Sequence, residues 1–153
     1  MSLRYKIDED YKKSIKNKEQ DKINTLRLIR SAIKDKDISS RSSENKEVIG
    51  DPEILTLLIS LIKQRKDSIE QFQKAKRDDL IKNEENEIEV INQYLPKQKS
   101  EQETETIVDN LIKMHNLENL KDMGKLMGFV KKDYPGEVDM GVVGKIAKSK
   151  LGN

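Results

Sequence analysis

With 153 residues, 34% of them apolar and 38% charged, the chain is long enough for one domain or two small ones and too short for a large core. It has no Cys, which excludes disulfides, thiolate metal sites and a thiol nucleophile and makes the reducing cytoplasm the expected location. The net charge of +2 is unevenly placed: 11 bases face 6 acids in residues 1–36, 9 face 13 in 37–96, 3 face 5 in 97–120 and 7 face 4 in 121–153, so two basic zones flank an acidic middle.

Leu3, Ile7, Tyr11 and Ile15 recur every fourth residue and predict a first helix ending near Lys18, with a turn at residues 17–19. A second helix is expected over 21–36, where Ile23, Leu26, Ile29 or Arg30, and Ile33 make an apolar stripe opposite a basic face. Residues 39–50 (SSRSSENKEVIG) are polar and aperiodic and read as a long loop, the least ordered interior segment. Asp51, Pro52 and Glu53 spell a helix start, with Asp51 as the cap, and a long third helix follows to about Ala75. A fourth begins near Asp78 and uses Leu80, Ile81, Ile88, Ile91 and Leu95 before Pro96 stops it.

Residues 96–99 (PKQK) are the best linker. Ser100 and Glu103 then form a capping box, and Ile107, Leu111 and Met114 carry a fifth helix to about His115. Helices over 123–132 and 139–151 surround a turn at Asp133, Tyr134, Pro135 and Gly136. No strand pattern occurs. The expected architecture is all-α, with an N-terminal four-helix unit over residues 1–96 and a small C-terminal three-helix unit over 97–153. The longest dense apolar run, 54–62, is far short of the roughly 20 residues of a membrane span, and no signal-peptide block opens the chain, so neither insertion nor export is expected.

Catalytic equipment is sparse. An amidase or synthetase needs a nucleophile, a base and an oxyanion site, whereas this chain has no Ser flanked by glycines, no Cys and one His. His115 falls at a helix end, where it reads as a capping residue rather than a base. Glu84, Glu85, Glu87 and Glu89 occupy several phases of one helix and cannot converge on a cation, so they read as a solvated face. No phosphate-binding glycine loop is present. No catalytic residue, metal or cofactor is therefore assigned.

What remains is residues 122–129 (DMGKLMGF), followed by Lys131 and Lys132. Gly124 and Gly128 lie one turn apart on one helix face, and each costs about 1 kcal/mol relative to Ala. Two compensations are open: close approach of a neighbouring helix, or close approach of a nucleic-acid backbone with Lys125, Lys131 and Lys132 as phosphate contacts. Asp139 caps the last helix, which carries Gly141, Gly144, Lys145, Lys148 and Lys150. Such charges are also what an ordinary solvated surface carries.

Four stretches in order, residues 25–34 (TLRLIRSAIK), 62–72 (IKQRKDSIEQF), 94–96 (YLP) and 121–128 (KDMGKLMG), resemble the YqeY-like proteins. These share the GatB/YqeY domain with the C-terminal tail of the B subunit of glutamine-dependent tRNA amidotransferases. The resemblance spans nearly the whole chain. It implies a helical first domain and a small helical second one that resembles the amidotransferase tail, which contacts transfer RNA. It also implies an association with carbon–nitrogen ligation using glutamine as amide donor, an activity whose catalytic core this chain lacks. The candidate RNA-binding residues are then Gly124, Lys125, Gly128, Lys131, Lys132, Lys145 and Lys148. Expected partners are tRNA, an amidotransferase-like protein or another helical protein, and not a membrane. The chain departs from the family at Lys76, where relatives carry Gly, so a left-handed cap there bears a Cβ penalty. It also carries Glu137 in a turn that is Gly-rich and basic in relatives.

Overall fold

The computed structural model describes residues 2–42, 44 and 47–152, and among them the chain is helix and turn without a strand. Seven α-helices follow in order: α1 (Leu3–Lys16), α2 (Gln20–Ser39), α3 (Asp51–Lys74), α4 (Asp78–Asn92), α5 (Glu101–Met114), α6 (Met123–Asp133) and α7 (Met140–Leu151). A 3-10 turn, Leu120–Asp122, leads into α6. The chain divides into two compact units, Met1–Leu95 and Pro96–Asn153. No helix among the described residues is long and apolar enough to cross a membrane.

In the first unit α1 and α2 form one antiparallel hairpin and α3 and α4 another. Ile7, Leu26, Ile29, Ile54, Leu58 and Ile91 are completely buried between them. The apolar stripe of α2 thus resolves to Ile29, and Arg30 lies outside. Polar side chains tie the helices where the apolar stripes end. Arg65 on α3 reaches Glu87 on α4 at 2.8 Å, and the Tyr94 hydroxyl donates to Asp10 on α1 at 2.5 Å. Burial, reinforced by that carboxylate, pushes the Tyr94 phenol far above its usual range.

Two expected boundaries move. Helix α2 runs to Ser39, three residues past the expected end at Lys36, because Asp37 is buried as the next member of the inward face. Helix α3 starts at Asp51 with Gly50 as its cap, so Asp51 is not the capping residue. Glu53 accepts the Gly50 N–H at 3.1 Å, while the Asp51 carboxylate accepts the N–H of Leu3 at 3.1 Å and so serves the start of α1. Of the expected loop at residues 39–50, Ser43, Asn45 and Lys46 lie outside the described residues.

Three helices end alike. Lys18, Lys76 and Asn116 follow the caps of α1, α3 and α5 with φ of 58°, 56° and 52°. The next residue in each case closes the longer bond of a Schellman motif: Glu19 to Ser14, Arg77 to Phe72 and Leu117 to Ile112, all at 3.0 Å. The left-handed turn at Lys76 therefore forms despite the missing glycine, because it satisfies the terminal carbonyls of α3.

In the second unit Val108, Leu126, Val130, Val143 and Ala147 are fully buried between α5, α6 and α7. Met114, expected on the inward stripe of α5, is 71% exposed, and Val108 and Thr104 take up the inward positions instead. The segment before α5 is tied to the turn after α6. Lys99 N–H donates to Glu137 at 2.7 Å and Gln98 Nε2 to the Gly136 carbonyl at 2.6 Å. Gly136 has φ of 73°, the conformation that a glycine at this turn permits.

Candidate nucleic-acid interface

Helix α6 is two-faced because its apolar residues recur at helical spacing. Leu126 and Val130 are buried, and Met123, Met127 and Phe129 pack beside them. Gly124, Lys125, Gly128, Lys131 and Lys132 are all exposed and share the outer face, and the last residue of the helix, Asp133, is exposed as well. The start of the helix is braced by Asp122, whose carboxylate accepts the Glu118 N–H at 2.9 Å. That bond, with Lys125 nearby, holds the Asp122 carboxyl below its ordinary range. Helix α7 is set by Asp139, which accepts the Gly141 N–H at 2.8 Å, and it buries Val143, Ala147 and Leu151. Lys145 and Lys148 stand exposed, one turn apart. The candidate residues thus form two groups, five on one face of α6 and two on α7.

A Cβ built on Gly124 or Gly128 meets nothing within 4 Å. Of the two compensations left open, packing by a neighbouring helix is not met within the chain: among the described residues no helix approaches those glycines, and both are exposed. The lysines differ in their engagement. Lys150 is bound by Asp109 at 2.7 Å and Glu105 at 3.2 Å, which raises its pKa and withdraws it from the basic surface. Lys125 only approaches Asp122, at 4.0 Å. Lys131, Lys132, Lys145 and Lys148 make no ion pair among the described residues.

His115 is the C-cap of α5, and its ring stacks on Phe129, centroids 3.7 Å apart and planes 9° from parallel. The periodicity of α5 and α6 taken separately does not signal this pairing. Among the described residues no three metal-ligating side chains converge. In the Glu84 to Glu89 run, Glu87 is taken by Arg65. Glu84 is partly buried, and desolvation with Glu87 nearby raises its carboxyl above the usual range. That face is thus only partly solvated.

Comparison with known proteins places these features in a family. The model of the family described as "Yqey-like protein" matches residues 4–151. "Altered inheritance of mitochondria protein 41, mitochondrial" of Kluyveromyces lactis is 32% identical over 136 residues, which cover 86% of this chain and 71% of that protein. Its namesake in Lachancea thermotolerans is 38% identical over 108 residues, 69% of this chain and 56% of that protein. The Saccharomyces cerevisiae protein of the same name is 36% identical over 86 residues, 56% of this chain and 44% of that protein. The expectation of a cytoplasmic location is overturned by these relatives, which are named as mitochondrial proteins. The absence of cysteine did not discriminate, since it marks no single compartment. By the match over residues 4–151, the chain belongs to the Yqey-like protein family.

Proposed function

We propose that this chain is a non-catalytic RNA-binding accessory protein, related to the glutamine-dependent tRNA amidotransferases, that contacts transfer RNA through the outer faces of α6 and α7. One observation carries the reading: Gly124 and Gly128 expose bare helix backbone beside Lys131 and Lys132, which make no ion pair among the described residues. A phosphate backbone can approach a helix closely where Cβ atoms are absent, and cations along the approach replace its counterions. The resemblance of residues 121–128 to the amidotransferase tail supports the same partner.

The test is fluorescence anisotropy with transfer RNA across a salt series. Affinity is expected to fall steeply with salt, and Lys131→Glu, Lys132→Glu and Lys145→Glu together reduce the slope by about one unit for each phosphate no longer neutralised. Binding that is absent at low salt, or indifferent to the triple change, removes the reading.

A second reading rests on the same bare glycines: a helix of a partner protein, including an amidotransferase-like one, packs against Gly124 and Gly128. Participation in carbon–nitrogen ligation would then come through that partner. Capture of a protein from nuclease-treated lysate, abolished by Gly128→Leu, distinguishes this reading from direct RNA contact.

A further inference from the structure

Residues 25–34 carry part of the family resemblance, yet the candidate interface on α6 and α7 makes no use of them. Their apolar half is explained by the core, since Leu26, Ile29 and Ile33 are buried. The polar half, Arg27, Arg30, Ser31 and Lys34, lines a groove of about 360 Å3 between α1 and α2. Along the helix axis Arg27, Arg30 and Lys34 are separated by roughly 4.5 and 6 Å, so they form a row of cations.

The groove is organised by ion pairs across the two helices. Asp37 grips Arg4 through two bonds of 2.9 Å. Asp8 holds Arg30 through Nε alone, at 2.8 Å, and the guanidinium lies 4.3 Å from the centroid of the Tyr11 ring. The terminal amino groups of Arg30 are thereby oriented and have no partner among the described residues. Arg27 and Lys34 are exposed and likewise form no ion pair among the described residues. Four cations and two carboxylates line the groove, which leaves it positive. Both carboxylates face guanidinium groups, so the excess charge lies along the α2 row.

We propose that this groove binds a small anion of the di- or triphosphate class. Its oxygens accept from the terminal amino groups of Arg30 and from Arg27, Ser31 and Lys34. A lone carboxylate is satisfied by a single arginine fork, whereas a row of three cations over roughly 10 Å suits a chain of linked phosphoryl groups. Arg30 is already held in place by Asp8 and Tyr11, which reduces the ordering cost of binding. The inference is independent of RNA contact by α6 and α7.

The experiment is calorimetric titration of the full chain with inorganic tripolyphosphate, with sulfate as the ionic control. Saturable binding is expected, weakened about tenfold or more by Arg27→Gln with Lys34→Gln, since two charge-assisted hydrogen bonds are removed. Both positions are exposed, and circular dichroism confirms that the variant folds. Lys131→Glu with Lys132→Glu leaves tripolyphosphate binding unchanged while weakening transfer RNA, so failure of one reading is distinguishable from failure of the other. A nucleoside triphosphate that binds more tightly than tripolyphosphate assigns a nucleotide as the ligand, and equal affinity assigns the bare phosphate chain. Absence of saturable binding, equally tight sulfate binding, or equal loss in both variant pairs overturns the proposal.

Discussion

Arg4 and Asp37, 33 residues apart, meet in a two-pronged ion pair with both bonds at 2.9 Å, and the Asp37 side chain retains only 8% of its exposure. The same pair clasps Ile49 from both sides. Arg4 donates to its carbonyl at 3.1 Å, and Asp37 accepts its N–H at 2.9 Å. One contact thus joins the start of α1, the end of α2 and the chain entering α3. Asp37→Ala leaves a guanidinium and a buried N–H without their acceptor and is expected to destabilise the chain by about 2–3 kcal/mol, measured by urea denaturation. A loss within a few tenths of a kcal/mol would show that water replaces the carboxylate freely.

The Asp37 carboxyl is held below its ordinary range, first by the Arg4 hydrogen bond and further by the Ile49 N–H, against a desolvation that opposes it. Because the folded pKa is depressed, this contribution is present above the unfolded value of 3.8 and is lost as pH falls through the folded one. Acid unfolding followed by circular dichroism should show a shallower pH dependence for Asp37→Asn than for the parent chain.

Tyr94 titrates in the opposite sense. Its pKa is raised by burial and by Asp10, so its contribution is complete below 10.0 and declines as pH rises above that value. Tyr94→Phe is expected to cost about 1–2 kcal/mol at neutral pH, because Asp10 loses its donor, and to flatten the alkaline limb of a melting-temperature profile. An unchanged alkaline limb would trace that loss to other groups.

Lys76 occupies a left-handed position at φ of 56°, with its backbone bonds already made. Lys76→Gly removes the Cβ conflict at the expense of unfolded-chain entropy, for an expected net gain of about 0.5–1 kcal/mol. Chemical denaturation of Lys76→Gly beside Asn116→Gly checks this, since Asn tolerates the left-handed region better and should gain less.

Gly128→Ala separates stability from recognition. The added methyl meets nothing within 4 Å, so helix propensity alone decides, and a gain of about 1 kcal/mol is expected. If that face receives an RNA backbone, the same methyl weakens transfer-RNA binding. A more stable variant with undiminished RNA affinity would place the contact elsewhere.

The helices were legible in sequence because their signals are local. Ile23, Leu26, Ile29 and Ile33 recur at the helical period, and Ser100 with Glu103 and Asp139 with Gly141 satisfy end amides within a few residues. The exposed lysines of α6 were legible for the same reason, since Leu126 and Val130 define the opposite face. Contacts between distant segments were not. Neither periodicity nor spacing pairs Arg4 with Asp37, Tyr94 with Asp10, or His115 with Phe129. Asp51 shows the difference at one residue, a helix-start signal in sequence whose carboxylate serves the first turn of another helix. Gly124, Gly128 and Lys150 show it for the candidate interface. By sequence alone a glycine can be packed or bare and a lysine free or paired. Tertiary structure decided both, leaving the two glycines uncovered and binding Lys150 to Glu105 and Asp109, because whether a group meets a partner depends on which elements fold beside it.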